Sequence, residues 1–111
     1  MAIPAFLGQV EQMVLLSLLQ LGDEAHAISI RRHLAERANH RVTRGALYRT
    51  LDRLEAKDYV DWETDEPTPE RGGYARRRFH VTQSGLAALR ASQKAIDTLS
   101  RGLEGVLKKP S

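Results

Sequence analysis

The chain of 111 residues contains no cysteine, which excludes disulfide bonds and thiolate metal sites. It also lacks a long apolar run, since its most apolar stretch, residues 10–21, is shorter than a membrane span and is interrupted by polar residues. The segment 1–4 has none of the positive charge that opens an export signal. These absences favour a cytosolic protein with one domain and one modest core.

Motifs for catalysis and for metal binding are missing as well. The sequence has no nucleophile elbow, phosphate-binding loop or dinucleotide fingerprint. His26, His33 and His40 recur every seven residues, but positions seven apart on one helix are separated by about 10 Å, too far to share an ion. We therefore predict a protein that is not an enzyme and that needs no metal or other cofactor.

The charges are unevenly placed along the chain, although the net charge is only +3. Residues 58–70 carry six acidic and no basic side chains, whereas residues 71–78 carry four arginines and no acid. A second basic block, residues 41–57, has five basic side chains against two acids. Such local blocks suit phosphate binding, which depends on nearby charge. The alternative is that the arginines only keep the surface soluble.

Hydrophobic periodicity predicts three helices in the first half of the chain. The first runs from residue 7 or 8 to residue 21 and is apolar nearly all round, so it is buried on several sides. The second covers residues 27–37. The third is capped by Thr43 and carries one apolar stripe, formed by Leu47, Leu51 and Leu54.

A hairpin and a final helix complete the predicted order. Val60 and Trp62 share one face of the first strand, as Phe79 and Val81 do on the second. The loop 67–73, rich in proline and glycine, is typical of a hairpin tip. Thr82 caps the last helix, which carries a stripe at helical spacing: Leu86, Leu89, Gln93, Ile96, Leu99 or Ser100, Leu103 and Leu107.

The stripe of the last helix predicts a dimer, because so small a core leaves little to cover it. The alternative is that this helix folds back on the first helix of its own chain. The expected dimer contacts lie on the last helix and, with a smaller share, on the first. They are Leu89, Gln93, Ile96, Leu99 and Leu103, with Val10 and Val14.

A basic helix followed at once by an arginine-rich hairpin is how a winged helix-turn-helix holds duplex DNA, with the helix in the major groove and the ribbon along the phosphates. We therefore predict a mainly α fold with a small β-hairpin. Residues 1–81 would form a winged helix-turn-helix domain and residues 82–111 a C-terminal dimerisation helix. The predicted DNA contacts are Thr43, Arg44, Gly45, Tyr48, Arg49 and Arg53 on the helix, and Arg71, Gly72, Gly73, Arg76 and Arg77 on the wing.

Several of these side chains have a structural alternative. Gly45 is either an opening for close approach of DNA or a tolerated helix glycine. The ring of Tyr48 either packs under the wing or offers its hydroxyl to a phosphate. Arg53 either contacts a phosphate or pairs with an acid such as Asp52. On the hairpin, the arginines 76–78, Arg78 above all, have the alternative of cross-strand ion pairs with the acids of the first strand, Asp61 or Glu63.

These motifs resemble the PadR-like family of transcriptional regulators. The matching segments span nearly the whole chain. In order they are Leu7-Gly8, Gly45-Ala46-Leu47-Tyr48 with Leu51, Leu54 and Glu55, residues 66–73, and residues 77–82 with Gly85. The resemblance implies a homodimeric winged-helix repressor of double-stranded DNA, in the subgroup with a single short C-terminal helix, that binds an inverted-repeat operator. It also implies release by a small aromatic or drug-like effector.

The chain departs from the family pattern at two places. Asp58 stands where glycine is usual after the recognition helix, and aspartate tolerates the left-handed conformation at a small cost. His26 and Ala27 stand where an aromatic residue and glycine are usual, which bears on ligand contact and not on the fold. Trp62 either lines an effector site or belongs to the core. The other function considered is a winged-helix protein–protein interaction module, against which the arginine-rich wing argues.

Overall fold

The helices and strands expected from the sequence are present in a computed structural model, which describes residues 6–66, 68–69 and 75–108. The elements are α1 (Gln9–Leu21), a 3-10 turn (Gly22–Glu24), α2 (Ala27–Ala38), α3 (Arg44–Ala56), β1 (Val60–Asp65), β2 (Arg76–Val81), α4 (Gln83–Ser100) and α5 (Glu104–Leu107). The predicted mainly α fold with one small hairpin is confirmed. Three predicted wing-tip contacts lie outside the described residues: Arg71, Gly72 and Gly73.

Both predicted threonine caps are formed. The Thr43 hydroxyl accepts a hydrogen bond from the backbone N–H of Ala46 at 3.0 Å, which starts α3. The Thr82 hydroxyl accepts one from Gly85 at 3.0 Å, which starts α4. Asp58 adopts the predicted left-handed conformation, with φ of 64°, so the turn after α3 forms without glycine.

The core surrounds α1, whose Val14 and Leu15 have no solvent exposure. The predicted stripe of α3 is buried against it, as are apolar residues of α2, β1 and β2. The resulting body presents α3 and the hairpin on its surface. Within the described ranges, no helix is long and apolar enough to cross a membrane.

The two strands pair antiparallel, with Val60 opposite Val81 and Asp65 opposite Arg76. We refer to this hairpin as the wing. Its inner end is joined to the body by a backbone hydrogen bond of 2.9 Å from Phe79 N–H to the carbonyl of Ala25, in the segment before α2. The wing follows α3 in the chain, but it packs on the segment that connects α1 with α2.

The first half of α4 belongs to the core, and its second half does not. Ala88, Leu89 and Ser92 are buried, and the Ser92 hydroxyl accepts a 2.9 Å hydrogen bond from the backbone N–H of Leu7. At Gly85, a Cβ atom would lie only 2.2 Å from the carbonyl oxygen of Tyr59, so only glycine fits this contact. The fold-back alternative thus holds up to Ser92.

The prediction of one continuous final helix is wrong beyond Ser100. Gly102 has a φ of 83°, which ends the regular helix and starts a turn before the short α5. Leu103 lies in that turn and Leu107 in α5, so neither continues the stripe of α4. We call residues 93–108 the arm, because they extend past the buried part of α4.

Two of the predicted dimer contacts are already covered within one chain. Val14 is 0% exposed and Leu89 is 4% exposed, since both side chains fill the core between α1 and α4. They are unavailable as surface contacts and are removed from the predicted interface. By contrast, Ile96 and Leu99 on the arm are 61% and 74% exposed.

Candidate nucleic-acid interface

A groove of about 1070 Å³ lies between the start of α2, the polar side of α3 and the outer end of β2. Its lining is predominantly cationic, with two acids, Glu24 and Asp52, among the charged residues. Five arginines line it: Arg31, Arg32, Arg44, Arg76 and Arg77. Such a concave basic surface, formed where a recognition helix meets a wing, matches the charge of a DNA backbone.

The first turn of α3 supplies the floor of this groove. The guanidinium carbon of Arg44 lies 5.5 Å from the centre of the Tyr48 ring, within the range of a cation–π contact. Tyr48 is half-buried and packs against the core. Its ring therefore supports Arg44 and packs on the core, while the residue also lines the groove. Packing of the ring under the wing stays a prediction.

Arg77 is held in place by the only tryptophan of the chain. Its guanidinium carbon lies 4.3 Å from the centre of the Trp62 ring, and the indole N–H of Trp62 donates a 3.1 Å hydrogen bond to Glu55 of α3. Trp62 is half-buried rather than fully in the core. The ring thus connects α3 with the arginine at the edge of the groove.

The neighbouring Arg78 is engaged in ion pairs inside the protein. It lies 2.9 Å from Glu63, 3.2 Å from Asp65 and 3.5 Å from Asp23. The cross-strand alternative is confirmed for Glu63, whereas the strand partner of Asp61 is His80. With two carboxylates of β1 and one of the 3-10 turn around it, Arg78 stabilises the wing and its attachment to the body and does not line the groove.

Arg76 keeps more of its charge available. Its single ion pair among the described residues is a 3.7 Å contact with Asp65. Asp65 also accepts a hydrogen bond from His26, and this bond lowers the pKa of the Asp65 carboxyl below its ordinary value. Partial burial acts in the opposite direction, while the charges of Arg78 and Arg76 lower the pKa further. Asp65 is therefore ionised at neutral pH.

Arg49 and Arg53 lie on the other flank of α3, beside a smaller hollow of about 310 Å³. Arg53 donates a 3.3 Å hydrogen bond to Thr50 and has no ion pair with Asp52 among the described residues. Burial acts to raise the pKa of Glu11, but hydrogen bonds from Gly8 and Lys57 and the charges of Lys57 and Arg53 lower it overall. The predicted helix contacts thus divide between two sides of α3.

Gly45 is exposed at the start of α3, and nothing in the fold requires glycine there. A Cβ atom would meet only the guanidinium of Arg49, at an ordinary contact distance of 3.5 Å. Alanine is preferred over glycine inside a helix by about 1 kcal/mol. At the second residue of α3 the difference is at most of this size, and the absence of a side chain leaves the backbone open to a ligand.

Sequence reasoning missed the residues that α2 and the segment before it contribute to the groove, among them Arg31, Arg32 and Glu24. A signal for the first two was available, because they are adjacent arginines placed away from the apolar Ile30 and Leu34 of α2. Their position beside the wing depends on packing between distant segments and had no local signal. Arg31 also donates a 3.0 Å hydrogen bond to the carbonyl of Val42, which holds the turn between α2 and α3.

Comparisons with known proteins agree with this geometry. Residues 15–91 match the model of the transcriptional regulator PadR-like family. The chain is 35% identical over 83 residues to the transcriptional regulator Rv3488 of Mycobacterium tuberculosis, covering 75% of this chain and 73% of that protein.

Solved structures of PadR-like proteins share the fold. A PadR-like transcription factor from Bacteroides fragilis superimposes with a TM-score of 0.71 at 28% identity, covering 89% of this chain and 90% of the other. A PadR family transcriptional regulator from Eggerthella lenta gives a TM-score of 0.66 at 26% identity, covering 89% and 84%. With a family match over most of its length, a winged helix and a basic groove, the chain belongs to the PadR-like family of DNA-binding transcriptional regulators.

Proposed function

We propose that this protein is a homodimeric, sequence-specific repressor that places α3 in the major groove of duplex DNA and the wing on the adjacent phosphates. The observation that carries the proposal is the groove lined by five arginines from α2, α3 and β2. Arg76 and Arg77 contact phosphates, as do Arg31 and Arg32. Arg44 and Arg49 reach base edges, where arginine binds guanine through two hydrogen bonds. Because chromosomal DNA is the target, the proposal places the protein in the cytoplasm.

The proposed dimer forms through the arm. Ile96 and Leu99 are largely exposed, and Gln93 and Leu103 lie on the same segment. A stripe of this kind on a protruding helix is covered by a copy of itself in a two-fold dimer. Val10 of α1 stays in the proposal as a half-buried contact. Since α4 is buried up to Ser92, we move the boundary between DNA-binding body and dimerisation segment from residue 82 to residue 93.

A two-fold dimer reads both halves of its site alike, so the proposed operator is an inverted repeat. Its half-sites lie about one helical turn apart, ~10 base pairs. Repression and release by a small aromatic or drug-like effector are proposed from the family resemblance. Trp62 is a poor candidate for an effector contact, because Arg77 covers its ring and Glu55 binds its N–H.

The test is a salt titration of binding to duplex DNA, using wing and helix variants. Replacing Arg76 and Arg77 with alanine should weaken binding to all sequences alike and reduce the salt slope by roughly one unit per lost phosphate contact. Arg90→Ala is the matched control, because it removes an exposed arginine from α4, outside the groove. A full salt slope in the double variant would take the wing out of the interface.

The helix variants separate base reading from phosphate binding. Removal of Arg44 or Arg49 should cost ~1–3 kcal/mol at a selected operator and relax the preference at one base position. The competing function, a winged-helix module that binds protein, is favoured if the native protein shows no binding to duplex DNA even at low salt. Footprints on a single asymmetric half-site would contradict the two-fold arrangement.

A further inference from the structure

The outer end of the wing is fastened to the start of α2 by a bond between side chains 39 positions apart in the sequence. His26 Nε2 lies 2.6 Å from Asp65 Oδ2, and the two side chains are 7% and 22% exposed. Asp65 is the last residue of β1, and His26 immediately precedes α2. We call this contact the outer link, because it joins the distal end of the hairpin to a helix that also lines the groove.

The outer link is reinforced by charge. Arg78 Nε is buried 3.2 Å from the other carboxylate oxygen of Asp65, and although its N–H is not aligned for a hydrogen bond, the ionic attraction remains. Arg76 Nε lies 3.7 Å from the carboxylate on the groove side. The positive end of α2 adds a favourable field for an anion at this place. Asp65 is thus set between two arginines and the start of a helix.

The outer link is needed because the outer part of a two-stranded hairpin is easily displaced. Apart from the outer link, the wing is held to the body by the backbone bond between Phe79 and Ala25, by the hydrogen bond from Trp62 to Glu55 and by the ion pair of Arg78 with Asp23. From there the strand runs outward to Arg77 and Arg76 at about 3.3 Å per residue. A two-stranded ribbon is barely stable alone and bends readily. Without the outer link, the described contacts that hold β2 to the rest of the body would reach no further out than Arg78, and Arg77 and Arg76, which line the groove, would lie beyond these anchors.

We propose that His26 and Asp65 are positioning residues for DNA binding, which set the angle of the wing so that Arg76 and Arg77 meet the phosphates beside α3. Neither residue needs to touch DNA. This inference rests on the proposed function, because it explains how the proposed DNA-binding groove keeps its wing in position. It also gives a role to His26, which stands where the family resemblance leads one to expect an aromatic residue.

A double-mutant cycle on binding to a random-sequence duplex tests this without knowledge of the operator. His26→Leu removes the donor and keeps an apolar side chain in the buried site, whereas His26→Gln retains an N–H donor as the matched control. We expect His26→Leu to weaken duplex binding roughly tenfold and His26→Gln to restore most of it. Asp65→Ala, at the more exposed partner, replaces His26→Leu if that variant does not fold.

The cycle is completed with Arg77→Ala. This change should cost affinity in the native protein and little in the His26→Leu protein, because Arg77 is then already displaced from the phosphates. Equal costs in the two backgrounds would overturn the proposal, since the histidine would then act on the stability of the whole protein and not on the wing.

A measurement without DNA keeps this inference separate from the proposed function. Amide hydrogen exchange at residues 76–78 should become faster in His26→Leu and Asp65→Ala and return towards native rates in His26→Gln, while exchange in α1 stays unchanged. Unchanged exchange in the wing would overturn the outer link. Lack of duplex binding by the native protein would overturn the proposed function and leave this result standing.

Discussion

The groove and the arm are both left open by the chain, and they differ in chemistry. The groove is lined by arginines, with Tyr48 and Ile28 among few apolar side chains. The arm exposes apolar residues, among them Ile96, Leu99 and Val106. Arginine keeps its hydration until an anion replaces it, whereas exposed apolar surface is unfavourable in water until another apolar surface covers it. The proposed function accordingly assigns the two surfaces to two different partners, a polyanion for the groove and a second copy of the chain for the arm.

The largest effect is expected from charged substitutions in the arm, which should disrupt the proposed dimer and leave the groove unchanged. Replacing Ile96 and Leu99 with glutamate should destabilise the dimer by about 4 kcal/mol or more, because four buried apolar side chains become charged across the two-fold axis. Sedimentation should then find monomers at micromolar concentration. Thr98→Glu, on the opposite side of α4, is the matched control and should stay dimeric. A double variant that remains dimeric would exclude the arm as the interface.

A smaller effect is expected from replacing one glycine beside the groove, Gly45, and one in the arm, Gly105, with alanine. Gly45→Ala should stabilise the folded protein by at most about 1 kcal/mol, because alanine is the better helix former, and yet weaken operator binding, because the new methyl group would face the DNA in the proposed complex. Gly105→Ala in α5 adds the same methyl group to the arm, where a Cβ meets nothing within 4 Å, and should leave DNA binding unchanged. Tighter DNA binding by Gly45→Ala would show that α3 does not approach closely at this position.

The smallest expected effect comes from protonation of Asp65 at low pH, which should weaken its bond with His26 beside the groove. The pKa of Asp65 is lowered by its hydrogen bond with His26, so the ionised carboxylate contributes stability above its ordinary pKa of 3.8, and the contribution is lost as the pH falls through the lower folded value. Fluorescence of Trp62, the only tryptophan, should therefore change below about pH 4. Asp65→Asn should remove this step. An identical transition in that variant would assign it to another carboxyl group.

Local chemistry made much of the fold predictable. Thr43 and Thr82 cap helices because a side-chain oxygen can bind a nearby N–H three residues on, and this requires no knowledge of the rest of the chain. The left-handed Asp58 and the pairing of Arg78 with Glu63 also depend on neighbours in the sequence or in one hairpin. Such features follow from periodicity and short-range hydrogen bonding.

What remained unpredictable depends on packing between distant segments or on a balance of small terms. The bond between His26 and Asp65 joins residues 39 positions apart, and the sequence around neither residue indicates it. Leu89 matched the stripe of a protruding helix, but whether the core or a partner covers it is decided by where α1 lies. The end of α4 was missed because Gly102 is one glycine among residues that all tolerate a helix.

The close packing at Gly85, where the first turn of α4 meets the residue before the wing, has a mechanical consequence. A Cβ there would lie 2.2 Å from the carbonyl of Tyr59, and Thr82 donates to the carbonyls of Tyr59 and Asp58 at 3.0 and 2.6 Å. The closest approach at Gly85 is therefore backbone to backbone, with the side chains of Thr82 and Val81 packed beside it. Because this contact leaves little room for displacement, we expect a tilt of α4 to be transmitted to the base of the wing. In a two-fold dimer, the crossing angle of the two arms would then act as a lever on the distance between the two DNA-reading helices.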